Sequence, residues 1–365
     1  MAYLRRPARN PSRMTRLSTL LLLLGLSFTA QAQDHHFSQF FATPLGLNPA
    51  LTGLFPGRYR VSLANRSQWG QVLETPYNTT AFAADFHYVI NPKRRSYRDA
   101  FGAGVMFTSD RVTEISYAVN QIMVSGAYHK TLDPRSNQNL SLGFQIGVVQ
   151  RNVSYDQLTF EDSFDGTSTY VSGATGEELP ENNYAFGDYQ IGLNYSYAPA
   201  NSTSFLIGAA VHHVAEPEQS FYADITRGED IEVTNVLDRR YSLYSNVGIY
   251  VNRDITVSPR VYAFVQGPHQ FVNAGSNIRF LFSDASGSAL HLGGYVRGVG
   301  NESGFGLDSA VGLVGIELAN FLVGFSYDIG VNGLETNPRH RGAFELNIAY
   351  LGKGDDDEAV PCPTF

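Results

Sequence analysis

Residues 189–197 read YQIGLNYSY, with Tyr189, Ile191, Leu193, Tyr195 and Tyr197 alternating with Gln190, Gly192, Asn194 and Ser196. Successive side chains of a strand point to opposite faces, so a strict period of two gives one apolar face and one polar face. Residues 139–149 (NLSLGFQIGVV) repeat the pattern, and residues 344–351 (FELNIAYL) set Phe344, Leu346, Ile348 and Tyr350 against Glu345, Asn347 and Ala349. An amphipathic helix would place apolar residues at i, i+3 and i+4, and no long window does so.

Fourteen such stretches run along the chain, starting near Arg58, Tyr77, Ala100, Ile115, Asn139, Asp188, Thr203, Arg239, Thr256, His269, Ala289, Ser309, Asn320 and Arg341. Each is close to the roughly ten residues that a tilted strand needs to cross a bilayer. Their polar faces hold Gly, Ser, Asn and Gln rather than Lys and Glu. Charged residues make up 16% of the chain, below the usual ~25%. A soluble sandwich or calyx would turn its apolar face inward and carry more charge outside. The expected fold is therefore all-β: a transmembrane antiparallel barrel with a face for outer-membrane lipid and a wet or tightly packed lumen. An even strand number closes such a sheet with both termini on the periplasmic side. The two longest connections, near 154–187 and 218–238, follow the fifth and seventh strands, so both open on the opposite face.

Export fits this reading. The first 32 residues hold five Arg and no acid, then the apolar stretch Leu17 to Phe28 and an Ala30-Gln31-Ala32 site. This is the form of a secretory signal peptide, with cleavage expected between Ala32 and Gln33. Losing the five Arg takes the formal net charge from −8 to −13. An acidic mature chain is unsuited to a phosphate backbone, so nucleic acid is excluded as a partner. The single cysteine, Cys362, allows no internal disulfide. The domain reading is a signal peptide at 1–32, an N-terminal periplasmic or plug-like segment at 33–57, the barrel at 58–352 and an acidic tail at 353–365.

Catalytic patterns are missing. There is no G-x-S-x-G elbow, H-E-x-x-H or P-loop, and the acidic stretch 156–183 lacks the spacing of a calcium loop. His212 and His213 are adjacent on a strand, so they should face opposite ways and serve no common site. His35 and His36 read as exposed. The expectation is a protein that is not an enzyme and carries no metal or cofactor.

Parity gives one polar constellation. With Val61 and Leu63 facing lipid, Arg58, Arg60, Arg66 and Gln68 face the lumen, as do Asp85 and His87 from the second strand, Asp328 from the thirteenth and Glu345 from the fourteenth. These strands become neighbours on closure, so Arg–carboxylate pairs can rigidify the seam. Trp69 should face out at the far end, in an aromatic belt.

The stretch 33–53, QDHHFSQFFATPLGLNPALTG, has no period of its own. Followed by RYRVSLANRSQWG, it resembles the start of the PorP/SprF family of outer-membrane proteins, whose mature chains begin QD-x-x-FSQ, P-x-x-x-NPA-x-x-G and continue into an RNQW-like strand. Here that second element reads Asn65-Arg66-Ser67-Gln68-Trp69, with an inserted Ser. The motif residues are Phe37, Ser38, Gln39, Pro44, Asn48 and Pro49. LTFEDSFDG at 158–166, FSYDIGVNGL at 325–334, GAFELNIAY at 342–350 and the closing CPTF extend the likeness over the mature chain. The resemblance implies a barrel component of the type IX secretion system of Bacteroidota-like bacteria. It also implies a need for particular secreted cargo, often large gliding adhesins, and partners among the periplasmic ring and peptidoglycan-linking components. No catalytic residues come with it. A passive porin or hydrophobic-solute channel is the alternative, and a barrel hydrolase a weaker one.

Pro44 and Pro49, with the large apolar Phe37, Phe40, Phe41 and Leu47, suit a segment 33–57 that packs at the periplasmic mouth, entering the lumen or docking on a partner. The tail GKGDDDEAVPCPTF reads as exposed, with Cys362 a lone thiol and the assembly signal moved inward to AFELNIAYL.

Overall fold

The computed structural model describes residues 36–352 except 71–74, 91–95, 113–115, parts of 156–178, 200–201, 220, 222–235, 284–286, 302–303 and 332–341. The expected cleavage site at Ala32–Gln33, most of the acidic stretch and the tail with Cys362 lie outside the described residues.

The described residues form fourteen antiparallel strands: β1 (Tyr59–Gln68), β2 (Tyr77–Val89), β3 (Ala100–Val112), β4 (Tyr117–Thr131), β5 (Gln138–Val153), β6 (Asn183–Tyr197), β7 (Ser204–His212), β8 (Arg240–Tyr250), β9 (Ile255–Gln266), β10 (His269–Ser283), β11 (Ser288–Asn301), β12 (Gly304–Leu318), β13 (Phe321–Gly330) and β14 (Gly342–Gly352). Each pairs with its sequence neighbours, and β1 pairs with β14, closing the barrel. Closure satisfies every ladder edge, the requirement for crossing lipid with strands. No described helix is long and apolar enough to cross a membrane.

The two faces are inverted relative to a soluble protein. On β5, Leu142, Phe144 and Val148 are 56%, 50% and 54% exposed, while Ser141 and Gln145 are fully buried. The alternation seen in the sequence thus has its apolar side on the outer wall.

β6 and β12 each begin five residues earlier than the alternation suggests. For β6, residues 183–187 continue the ladder with β5 (Asn152 opposite Asn183), but their large side chains, Tyr184 and Phe186, face inward, on the opposite parity to the outward Tyr189 and Ile191. For β12 the cause is a bulge. Ser309 opposes Arg297 and Leu307 opposes Gly298, leaving Asp308 as the extra residue. A bulge shifts parity. Phe305 and Leu307 point outward above it, while Val311 and Leu313 point inward below it. Continuous alternation therefore starts only at Ser309.

Residues 36–57 fill the lumen with three short turns: a 3-10 turn at Phe40–Ala42, α1 (Pro44–Leu47) and a 3-10 turn at Pro49–Leu51. Pro44 and Pro49 each stand in the first turn, where a missing N–H costs no hydrogen bond. The apolar residues Phe40, Phe41, Leu47, Leu51 and Leu54 form one buried cluster with Leu206, Tyr244, Tyr262, Phe264, Phe271, Tyr295, Val311 and Leu313 of the inner wall. The protein's core is inside the barrel, between the segment and the wall.

Candidate functional site

Odd-numbered strands run away from the end at which β1 begins. Gly57 stands at that end, where an added Cβ would strike the carbonyl of Gly352. His36, at the other end of the segment, packs its ring on Phe271 at 4.7 Å, close to the β9–β10 turn at the opposite end. The segment therefore runs the height of the lumen, and its start is not at the mouth by which the chain enters β1. A position for its start on the periplasmic side, expected from strand parity alone, is corrected by these contacts. Parity fixes where β1 begins but says nothing of how far a preceding segment reaches back through the lumen.

Two charged anchors hold it. Near the far end, the Glu345 carboxylate accepts the backbone N–H of Ser38 at 2.6 Å and of Gln39 at 2.9 Å. Arg66 donates to Glu345 and, at 2.8 Å, to Asp328. Ser38 Oγ donates to Asp328 (2.7 Å) and accepts from Arg66 (2.8 Å) and Arg297 (3.0 Å). Arg297 also reaches Asp328 at 2.8 Å and, through Nε, Asp308 at 2.8 Å. The bulge on β12 is what turns Asp308 toward that guanidinium. Gln39 donates to Ser326 Oγ, and Asn273 donates to the Ser38 carbonyl. Arg66, Asp328 and Glu345 are all at most 1% exposed. Charges so buried persist only when paired and hydrogen-bonded, and here the segment's own backbone supplies part of that pairing.

Near the entry end, Arg60 forms a two-toothed pair with Asp85, Nε to Oδ1 at 2.9 Å and Nη2 to Oδ2 at 2.7 Å. Asp85 also accepts the Gly53 N–H at 2.8 Å, and the guanidinium lies 4.7 Å over the Phe55 ring. His87 packs edge-on against the same ring. Arg58 precedes β1 and is exposed, so the lumenal position expected for it is corrected: the alternation from Val61 and Leu63 holds only inside the strand. Trp69, just past β1, is 44% exposed and packs against Tyr77.

Between the anchors Asn48 accepts the Ala50 N–H at 2.7 Å and donates to the carbonyls of Leu193 and Ala209. Thr52 bonds Ser125 Oγ, and its carbonyl meets His129 Nε2 at 2.8 Å. Phe37 packs with Ala64 and Ala81, and Pro44 and Pro49 are buried.

His212 and His213 do not face opposite ways. β7 ends at His212, and His213 takes a left-handed backbone (φ 55°), which turns its ring back into the lumen. Both are buried, His212 on Gln190 and His213 on Asp188 at 3.0 Å. A residue that leaves β geometry escapes the two-residue period. Among the described residues no group of three His, Cys, Asp or Glu side chains converges as metal ligands would.

Arg297, Asp308 and Asn273 are partners that sequence reasoning missed. They lie on β10, β11 and β12: Arg297 and Asn273 reach Ser38, and Asp308 reaches Arg297.

A family model described as type IX secretion system membrane protein PorP/SprF matches residues 29–350. The chain belongs to that family. It is thus an outer-membrane barrel of the PorP/SprF kind, and its lumenal segment lies inside the matched region. No curated protein matches it. Among solved structures it is similar to a deltaS2 mutant of the TodX monoaromatic hydrocarbon channel (11% identity, 84% of this chain and 93% of that one, TM-score 0.45). It is also similar to a Pseudomonas aeruginosa FadL homologue (10%, 83% and 92%, 0.44) and to the translocator domain of the autotransporter NalP from Neisseria meningitidis (10%, 92% and 97%, 0.36). At these values the likeness adds nothing to the barrel already described.

Proposed function

We propose that this PorP/SprF protein is a non-enzymatic structural component of the type IX secretion system that supports secretion or surface attachment of specific cargo, gliding adhesins among them. It works alongside the periplasmic ring and peptidoglycan-linking components. The observation that carries this reading is the occupied lumen. A segment tied at both ends of the barrel by buried ion pairs removes the wide aqueous path that a passive porin requires. What remains for partners is the rim and loops of a rigid cylinder, suited to holding a neighbour in the membrane. The family match over 29–350 supplies the machine.

The test is the surface and secreted proteome of a clean deletion strain against its parent. Loss of one or a few large surface proteins, restored by the complementing gene, is the expected result. An unchanged surface proteome with slower uptake of a solute would replace this reading with the channel.

A further inference from the structure

The hydrogen bonds of the lumenal segment meet the wall in chain order. Reading back from β1, Gly53 donates its N–H to Asp85 of β2, and Thr52 bonds the Ser125 hydroxyl of β4. Asn48 donates to the carbonyls of Leu193 on β6 and Ala209 on β7. Ser38 then gathers the last strands, through Asn273 of β10, Arg297 of β11, Asp328 of β13 and Glu345 of β14. The partners stand 32 residues along the chain from Gly53, 73 from Thr52, 145 and 161 from Asn48, and 235 to 307 from Ser38.

Such an order has a kinetic meaning. Contacts between residues near in sequence close short loops and form ahead of distant ones. The Gly53 bond can form as soon as the β1–β2 hairpin exists, and later strands find their anchors further back on the segment. The final step is at Ser38. Its hydroxyl also accepts from Arg66 of β1, and Arg66 donates to Glu345 as well. Taking up Glu345 therefore sets β14 beside β1 and shuts the seam. A segment drawn into a finished barrel through the entry mouth would require no such order.

We infer that residues 36–57 are a template for barrel assembly: strands dock on the segment in chain order, and the wall closes around it instead of being entered by it afterwards. This role concerns how the barrel is made. It is separate from the cargo role and stands or falls without it.

The test starts from the chain from Gln33 onward, the form expected after export, unfolded in urea with biotin at its N-terminal end. Monovalent streptavidin is bound to the biotin and the chain is refolded into detergent micelles. Streptavidin stays folded in urea and is too wide for the lumen of a fourteen-stranded barrel, so it cannot lead the segment in from the entry mouth. With the wall closing around the segment, the heat-modifiable closed band and protection of 36–57 from protease should appear together, at the rate of the unloaded chain. A closed band whose segment is still cleaved, or no closed band, would overturn the inference. The second readout is the rate of closure. Asn48→Ala takes two anchors from the segment and changes no wall residue; in a template it should slow closure about fivefold. Should it fail to close, Ser38→Ala, which keeps the N–H bond to Glu345, is measured in its place with the same expectation. Closure at the parental rate would put seating after closure and sink the template. Neither readout involves secretion, so the proteome test above remains independent.

Discussion

The backbone amide of Ser38 donates to the side chain of Glu345, 307 residues further along the chain, in a setting where both residues are fully buried. The same carboxylate takes the Gln39 amide and the Arg66 guanidinium. The last strand of the barrel is thereby bonded to Ser38 and Gln39 of the segment and to β1. Seam and segment share one set of charges.

Glu345→Gln keeps the shape but leaves Arg66 without its nearer carboxylate and presents a donor to two amide donors. Breaking a buried pair by removing one partner costs about 3–5 kcal/mol. We expect a lower temperature for the gel-mobility shift that reports barrel opening, together with protease cleavage inside 36–57. A variant as heat-resistant and protease-resistant as the parent would show that Glu345 does not hold the segment.

Asn48 ties the middle of the segment to two strands at once, through the carbonyls of Leu193 and Ala209, while capping its own turn at Ala50. Asn48→Ala strips all three bonds and leaves the Ala50 N–H buried and unmet, which costs about 1–3 kcal/mol. Thermal scans should show a lower midpoint for Asn48→Ala but near-parental values for a substitution of the exposed Leu142 by Ile on the outer wall.

Gly143 faces the segment so closely that an added Cβ would overlap the backbone of Pro49 and Ala50. Backbone cannot yield as a flexible side chain can. Gly143→Leu should assemble a barrel whose segment is unseated, seen as rapid proteolysis at 36–57 with the outer wall intact. Gly312→Ala, on the outer face with open space around it, should behave as the parent.

The wall of this molecule was legible in its sequence, because a strand crossing lipid must alternate and each of the fourteen stretches does. The departures have local causes: the Asp308 bulge resets the period of β12, and His213 leaves β geometry and turns inward. The lumenal segment was harder to read. Its Phe, Leu and Pro residues announce burial, but an aperiodic segment carries no register. Nothing in Ser38 or Asn48 names Arg297 or the carbonyl of Leu193. Those partners are fixed by where the closed barrel brings its inner wall, which is a property of all fourteen strands together. Arg297 also sits beside the bulge, where parity counting fails.

Conductance is the most direct physical test of the occupied lumen. A barrel of this strand number with an empty interior would pass ions, whereas one whose core cluster of Phe40, Phe41, Leu51 and Leu54 packs against Tyr262, Phe264 and Tyr295 should not. In planar bilayers the parent is expected to be silent. Releasing one anchor should give brief openings, because the other still tethers the segment: Glu345→Ala frees the far end and Asp85→Ala the entry end. Releasing both should do more than the sum, since each charged anchor limits how far the segment can swing, and residues joined by one tether are coupled. Sustained openings in the double variant, with both single variants flickering, would identify residues 36–57 as the seal. Large steady currents from the parent would mean that ions pass beside the segment and that residues 36–57 are not the seal.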